Sequence, residues 1–111
     1  MFTDFYVLGI DGKAVDYPRE LMVGEKRRVL LGIVNHEFQE MSYRAVVRMD
    51  GVNSDEIGPV VLQHEQEWQQ EVSFTTDKTG ENQKVEFLLF KEGEAEHYSL
   101  LSLWLDVKEK G

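Results

Sequence analysis

The 111-residue sequence contains no cysteine, and this absence excludes disulfide bonds, thiolate zinc sites, iron–sulfur clusters and cysteine nucleophiles. Positive charge is also scarce, because 12 lysines and arginines face 21 aspartates and glutamates and leave a net charge of −9. Nucleic acids and anionic lipids attract basic surfaces. We therefore expect no nucleic-acid partner.

Long hydrophobic runs are missing as well. No apolar stretch approaches the roughly 18 residues that a membrane-spanning helix needs. The opening residues MFTD lack the charged region and the apolar region of a signal peptide. Any membrane contact is therefore expected only through segments absent from this chain. With 41% hydrophobic and 30% charged residues, the composition predicts one folded domain over residues 1–111.

Motifs for catalysis are missing too. The sequence has no GxSxG elbow, no SxxK pair and no glycine-rich phosphate loop. The three histidines, His36, His64 and His97, show no HxH, HxxxH or HExxH spacing, so each is expected to be a solvated loop residue. The sequence therefore predicts no catalytic residue, no metal site and no cofactor, and we expect that the protein is not an enzyme.

The tripeptide Asn35-His36-Glu37 sets an imidazole beside a carboxylate, the residue types of a proton-transfer pair. On an extended chain, however, neighbouring side chains point in opposite directions. Asparagine commonly bonds the backbone where a strand leaves a sheet. We therefore interpret this tripeptide as a structural corner.

The segment DGVNSDE, residues 50–56, offers the oxygen ligands that calcium prefers. It lacks the length and the terminal bidentate glutamate of an EF-hand loop. A polar loop on an acidic protein is the favoured interpretation, and calcium dependence stays open as an alternative.

Alternation with a period of two dominates the chain. In EWQQEVSF, residues 67–74, apolar and polar side chains take opposite faces, as in a half-buried strand. A helix over QHEQEWQQE is disfavoured because Phe74 does not fit helical spacing. Glycine-containing turns such as Asp50-Gly51 separate the segments. Strands are predicted near residues 2–9, 13–17, 20–23, 26–35, 42–50, 58–63, 67–75, 84–91 and 97–108.

Short strands at this spacing predict an all-β fold, an immunoglobulin-like antiparallel β-sandwich of about seven to eight strands. The core should consist of the apolar side chains on the inner faces. These are Val29, Leu31, Ile33, Tyr43, Ala45, Val47, Trp68, Val72, Phe74, Val85, Phe87, Leu89, Leu101, Leu103 and Leu105.

The last two predicted strands are apolar on both faces. Besides the inward leucines, Tyr98, Leu100 and Trp104 occupy the face that should meet water. One interpretation is that neighbouring segments cover this face. The other is that Tyr98, Leu100 and Trp104 form an interaction surface for a second copy, another domain or another protein.

The segments FTDFYVLGIDGKAVDYP, LMVGEKRRVLLGIVNHE, EFLLFKE and YSLLSLWLDV, with Tyr43 between them, follow one another along nearly the whole chain. In this combination the sequence resembles the domain-of-unknown-function 1616 family of archaea and bacteria. The VGE…GIVNHE…Y run also resembles the first strands of immunoglobulin-like adhesion domains. The family resemblance implies a soluble β-rich domain of predicted membrane proteins, with no assigned enzymatic activity.

We therefore expect a noncatalytic interaction or scaffold module, in an extracytoplasmic location and tethered to a membrane protein. A small-ligand or polysaccharide-binding accessory module is the alternative.

Overall fold

The computed structural model describes residues 1–10 and 20–109. Every regular element among them is a strand. The strands are β1 (Phe2–Gly9), β2 (Glu20–Met22), β3 (Arg27–His36), β4 (Met41–Met49), β5 (Val52–Leu62), β6 (Glu67–Phe74), β7 (Gly80–Lys91) and β8 (Ser99–Lys108). Over these described ranges, no helix has the length and apolar character required to cross a bilayer.

The strands form two sheets. The three-stranded sheet has the order β1-β3-β6, and the five-stranded sheet has the order β2-β8-β7-β4-β5. All pairings are antiparallel except that of β2 with β8, which is parallel. Their inner faces pack together on one hydrophobic core. The predicted all-β, immunoglobulin-like sandwich is confirmed.

The core follows the alternation in the sequence. Of the fifteen predicted core residues, twelve are buried, and Trp68, Leu101 and Leu103 are partly buried against them. The prediction missed inward residues on the short strand β2, on the largely polar strand β5 and at the end of β8. These are Leu21, Ile57, Val60, Leu62 and Val107. Burying each large apolar side chain stabilises the fold by about 1.5–3 kcal/mol, so the layers hold together without disulfides.

The predicted start of β5 needs correction. The predicted polar loop over residues 50–56 is largely strand, since β5 begins at Val52 rather than near residue 58. A tight turn at Asp50 and Gly51, both with positive φ, reverses the chain directly into β5. Because β5 lies at the edge of its sheet, its polar side chains remain in water. The predicted strand over 13–17 lies outside the described residues.

The segment for which a helix was considered is strand β6. Its Trp68 pairs with Ile33 of β3 and points inward, while Glu67 and Glu71 point to solvent. Strand alternation therefore outweighs the helix-favouring glutamine and glutamate composition, as predicted.

Tyr6 spans the outer face of the three-stranded sheet. Its ring lies over Gly32, where a Cβ atom would fall 2.0 Å from the ring carbon Cζ. Its hydroxyl donates a hydrogen bond to Glu67 and accepts one of 2.8 Å from Gln69 Nε2. The pKa of Tyr6 is raised, first by burial and then by the bond to Glu67. The side chain thus links all three strands.

Candidate functional site

Asn35 forms the corner between β3 and the turn that follows, and its side chain is fully buried. Its Nδ2 donates to the carbonyls of Gln39 and Leu62, both at 2.8 Å, and its Oδ1 accepts from the backbone N–H of Glu37 at 2.7 Å. The expectation that Asn35 bonds the backbone is confirmed. Both ends of its amide are therefore occupied by the fold.

His36 and Glu37 point in opposite directions from this corner, as expected. His36 lies on the outer side between Asp4 and Glu65, whereas Glu37 turns inward. The two side chains therefore contact different partners and do not form a proton-transfer pair with each other.

Glu37 belongs to a group of polar side chains between the sheets, which we call the polar clamp. Its members are Thr3, Glu37, Tyr43, Lys91 and Tyr98. The Thr3 hydroxyl donates to Glu37 Oε2 at 2.8 Å, and Lys91 Nζ lies 2.9 Å from the same oxygen. Since the single hydroxyl proton of Thr3 is used there, its 2.8 Å contact with the Tyr43 hydroxyl requires Tyr43 to donate. The Tyr98 hydroxyl accepts the backbone N–H of Thr3 at 3.1 Å.

The electrostatics of the polar clamp favour its charged forms. The hydrogen bond from Lys91 lowers the pKa of the Glu37 carboxyl, and the bond from Thr3 adds to this against the effect of burial. Burial alone would lower the pKa of Lys91, but the hydrogen bond and charge of Glu37 outweigh it and the pKa is raised. Burial raises the pKa of Tyr43. A protonated lysine is a poor nucleophile, and an ionised carboxylate is a poor proton donor. The Glu37 carboxylate joins two sheets, because it accepts from Thr3 on β1 and pairs with Lys91 on β7.

The solvent-exposed side of the corner carries a row of aromatic and imidazole rings joined through one carboxylate, which we call the aromatic row. Its members are Phe2, His36, Glu65, His64 and Phe38. Glu65 bridges the two imidazoles, with Oε2 3.3 Å from His36 Nδ1 and Oε1 3.0 Å from His64 Nε2. Phe2 stacks on His36 at 4.6 Å between ring centroids, and Phe38 stacks on His64 at 4.4 Å.

The structure therefore revises the expectation that each histidine is a separately solvated loop residue. His36 and His64 meet at one carboxylate, whereas His97 lies apart, with its ring 6.3 Å from that of Phe90. His64 Nδ1 accepts the backbone N–H of Phe38 at 3.1 Å, so Nε2 carries the proton that faces Glu65. In that tautomer Nε2 cannot bind a metal ion. Within residues 1–10 and 20–109, no three histidine or carboxylate side chains are grouped as metal ligands.

The residues considered for calcium do not converge. Asp50 Oδ1 accepts from the backbone of Lys84, Asn53 Oδ1 accepts from Arg48, and Asp55 Oδ1 accepts from the next backbone N–H. Asp50 lies in the turn before β5, and Asn53 and Asp55 are spread along that strand, so the three side chains do not fold around one point.

The outer face of the five-stranded sheet has a covered half and an open half. On β7 and β4, Leu88, Phe90 and Val46 form a small buried cluster. The Arg44 guanidinium lies 3.9 Å above the Phe90 ring and helps to cover it. Side chains from neighbouring strands therefore cover this half of the outer face, as one of the two interpretations of the sequence expected.

The open half lies on β8. Leu100 is 41% exposed and Trp104 is 48% exposed, and Lys84 Nζ lies 5.3 Å from the Trp104 ring centroid. We call Leu100 and Trp104 the β8 face. Tyr98, although 39% exposed, is held differently, because its hydroxyl bonds β1 and Lys91 Nζ lies 4.0 Å above its ring. The structure thus places Leu100 and Trp104 on one surface and Tyr98 in the polar clamp.

A groove of about 680 Å³ lies near the turn between β2 and β3. Its described lining consists of Val23, Asp77, Lys78, Thr79 and Glu109. These residues include no histidine to pair with a carboxylate for acid–base chemistry.

Sequence reasoning missed the exposed phenylalanines and the role of Lys91. Phe38 is 71% exposed and has a φ of 63°, and Phe2 is 50% exposed. The exposure of Phe38 could have been expected from the sequence, because this residue directly follows the Asn35-His36-Glu37 corner, where the strand has ended. The partnership of Lys91 with Glu37 joins residues far apart in the chain, so spacing could not reveal it.

Comparison with known families gives a match over residues 1–106 to the family described as Domain of unknown function (DUF1616). The chain belongs to this family. The family resemblance seen in the sequence is therefore confirmed. Among curated proteins, none matches this sequence.

Solved structures show the same fold. The crystal structure of the CARDB domain of the PF1109 protein from Pyrococcus furiosus, in complex with di-metal ions, is similar with a TM-score of 0.70 at 12% identity, covering 96% of this chain and 88% of that one. The solution NMR structure of the same domain gives 0.68 at 16% identity, covering 96% and 95%. CARDB domains are immunoglobulin-like β-sandwiches, and at these identities the likeness establishes the fold alone.

Proposed function

We propose that this domain is a noncatalytic interaction module that docks on another protein through the β8 face. Following the family resemblance, we place it outside the cytoplasm, attached to a membrane protein. The observation that carries the proposal is the exposure of Leu100 and Trp104 beside a buried apolar cluster on the same face.

The composition of the β8 face fits protein binding. Tryptophan is enriched among the residues that dominate binding energies, and a polar or charged rim around it excludes water. Lys84 and Ser102 supply such a rim here, on strands whose pairing fixes their positions. The face is part of a rigid sheet, so docking would order few side chains.

The noncatalytic part of the proposal rests on how the reactive groups are used. Glu37 and Lys91 are held as an ion pair, and the Asn35 amide is occupied by backbone groups. The His64 tautomer is fixed by Phe38. The groups that could perform acid–base chemistry therefore serve the fold.

The test uses a photo-crosslinking amino acid at Ser102, in cells that make the intact protein, with Ser73 on the other sheet as the matched position. We expect a discrete adduct from position 102 that is absent from position 73 and is lost with Trp104→Arg. The variant Ser73→Arg, which adds the same charge elsewhere, should keep the adduct. Equal crosslinking from both positions would contradict the proposal, and so would unfolding of Trp104→Arg, because Trp104 would then be part of the core.

The cellular location has its own test. Protease added to intact cells should cleave the domain if it lies outside the cytoplasm, whereas protection until the cells are lysed would contradict this part of the proposal.

A second candidate function is carbohydrate binding, which the exposed Trp104 ring favours because sugars stack on aromatic faces. A glycan array should then show binding that is lost with Trp104→Ala. The amino group of Lys84 near the ring makes this candidate weaker, since it competes for the same π face.

A further inference from the structure

We propose that the aromatic row is a second binding surface, and that it takes a protein segment carrying arginine side chains. This inference is independent of the β8 face, because the row lies at the corner that follows β3 and uses different residues. It rests on stacked, exposed rings and on accessible carboxylates beside them.

The two phenylalanine rings of the aromatic row are exposed to solvent. Phe38 is 71% exposed and Phe2 is 50% exposed, although both rings already contact an imidazole. Phe38 also has a φ of 63°, a conformation that is unfavourable for a bulky residue. An apolar ring held in water in this way has an open π face.

The aromatic row is also held in place by hydrogen bonds and ion pairs. Asn35 accepts the backbone N–H of Glu65 through its carbonyl at 2.6 Å, which ties the turn after β5 to the corner after β3. The carboxylate of Glu65 then spaces the two imidazoles, and each imidazole supports one phenylalanine. Because the rings are already ordered, binding to them costs little side-chain entropy.

Two carboxylates place negative charge beside the aromatic row. Asp4 Oδ2 lies 3.2 Å from His36 Nε2 at one end of the row, and the side chains of Asp4 and Glu65 are 54% and 61% exposed. These carboxylates lie beside open π faces in a chain with a net charge of −9. Carboxylates and aromatic faces together recognise cations.

Arginine fits this combination better than lysine. Its planar guanidinium stacks on a ring while its N–H groups bond a carboxylate in the same plane. The Arg44 guanidinium already stacks on Phe90 at 3.9 Å elsewhere in this molecule. The aromatic row offers the same type of ring without an arginine of its own stacked on it among the described contacts.

In the experiment, the peptide acetyl-Gly-Arg-Gly-Arg-Gly-amide is titrated into the 15N-labelled domain. The same peptide with citrulline in place of both arginines is the uncharged control. We expect the arginine peptide to shift the backbone amide signals of Phe38 and Glu65, and the citrulline peptide to leave them unchanged. The variant Phe38→Leu, which keeps an apolar side chain but removes the π face, should weaken binding about two- to fivefold.

The control variants separate this site from the general acidity of the domain and from the β8 face. Glu65→Gln should weaken binding, whereas Glu94→Gln, which removes a carboxylate on an exposed turn, and Trp104→Arg should leave it unchanged. Shifts spread over the whole acidic surface, with Phe38→Leu binding as the parent does, would overturn the inference.

Two further titrations test whether the aromatic row binds a lipid surface or a metal ion instead. Phosphatidylcholine vesicles that broaden the Phe2 and Phe38 signals, in the absence of any peptide effect, would assign the row to a lipid surface and overturn the inference. Zinc chloride that shifts the His36 and His64 signals while the peptide does not would assign it to a metal ion, with the same consequence.

Discussion

Tyr98 and Trp104 lie six residues apart, the first just before β8 and the second within it, and their side chains have opposite environments. Tyr98 is taken into the polar clamp, where its hydroxyl bonds β1 and its ring lies under Lys91. Trp104 stays 48% exposed, with Lys84 at its ring. The same hairpin thus contributes one aromatic residue to stability and presents another to solvent.

The difference follows from what each side chain can reach. Tyr98 precedes the first residue of β8 and sits beside β1, so its hydroxyl meets an edge N–H that no strand partner uses. Trp104 lies in the middle of β8, where it is paired with Lys84 of β7, and its side chain points away from the core. An aromatic residue at a strand end can join two sheets, whereas one in the middle of an outer face cannot.

The largest expected effect comes from breaking the polar clamp with Glu37→Gln. Removing one partner of a largely buried ion pair leaves Lys91 without its counter-charge, and we expect a loss of about 2–3 kcal/mol in the free energy of unfolding. Urea denaturation measures it, with Glu81→Gln on an exposed position as the control. A loss no larger than that of the control would mean that the clamp does not stabilise the fold.

The pH dependence of stability tests the same ion pair. Because the pKa of Glu37 is lowered from 4.5 in the folded state, its stabilisation is present above pH 4.5 and is lost as the pH falls through the folded value. Because the pKa of Lys91 is raised from 10.5 in the folded state, its stabilisation is present below pH 10.5 and is lost as the pH rises through the folded value. The stability difference between the parent and Glu37→Gln should therefore hold at pH 7 and shrink toward pH 3. A difference that stays constant between these pH values would contradict the assignment.

A smaller effect is expected for Tyr98→Phe. This variant loses the acceptor for the Thr3 N–H but keeps the ring, so the free energy of unfolding should fall by about 1 kcal/mol. Trp104→Phe, measured in parallel by thermal denaturation, should change it by less than about 0.5 kcal/mol. If both variants behaved alike, the contrast between the two aromatic residues would be lost.

Alternation alone predicts most of this fold. Strands β4 and β6 have one apolar and one mainly polar face, so their inward residues could be named directly from the sequence. The inward residues of β3 could be named as well, although Leu30 and Val34 lie on its outer face. The edge strand β5 escaped detection over its first half, because polar side chains at a sheet edge remain in water and carry no alternating signal. Asn35 could be assigned to a corner because its side-chain hydrogen bonds to Glu37 and Gln39 are local in the chain.

The candidate sites were harder to predict, because they depend on pairings between distant segments. Glu37 meets Lys91 only through the packing of the two sheets, and His36 meets His64 only because Glu65 lies between them. Leu100 and Trp104 were identified by apolar side chains on a face that should be polar. Tyr98 obeys the same pattern, and only its contact with Thr3 separates it from them.

The two tryptophans provide the most direct test of the central claim, that every second residue of each strand is turned toward a core between two sheets. Trp68 packs inward and Trp104 points outward, so urea unfolding of Trp68→Ala and Trp104→Ala compares the same side chain in both positions. We predict a loss of about 2–4 kcal/mol for Trp68→Ala and about 1 kcal/mol or less for Trp104→Ala. Equal losses, or a larger loss for Trp104→Ala, would contradict the account.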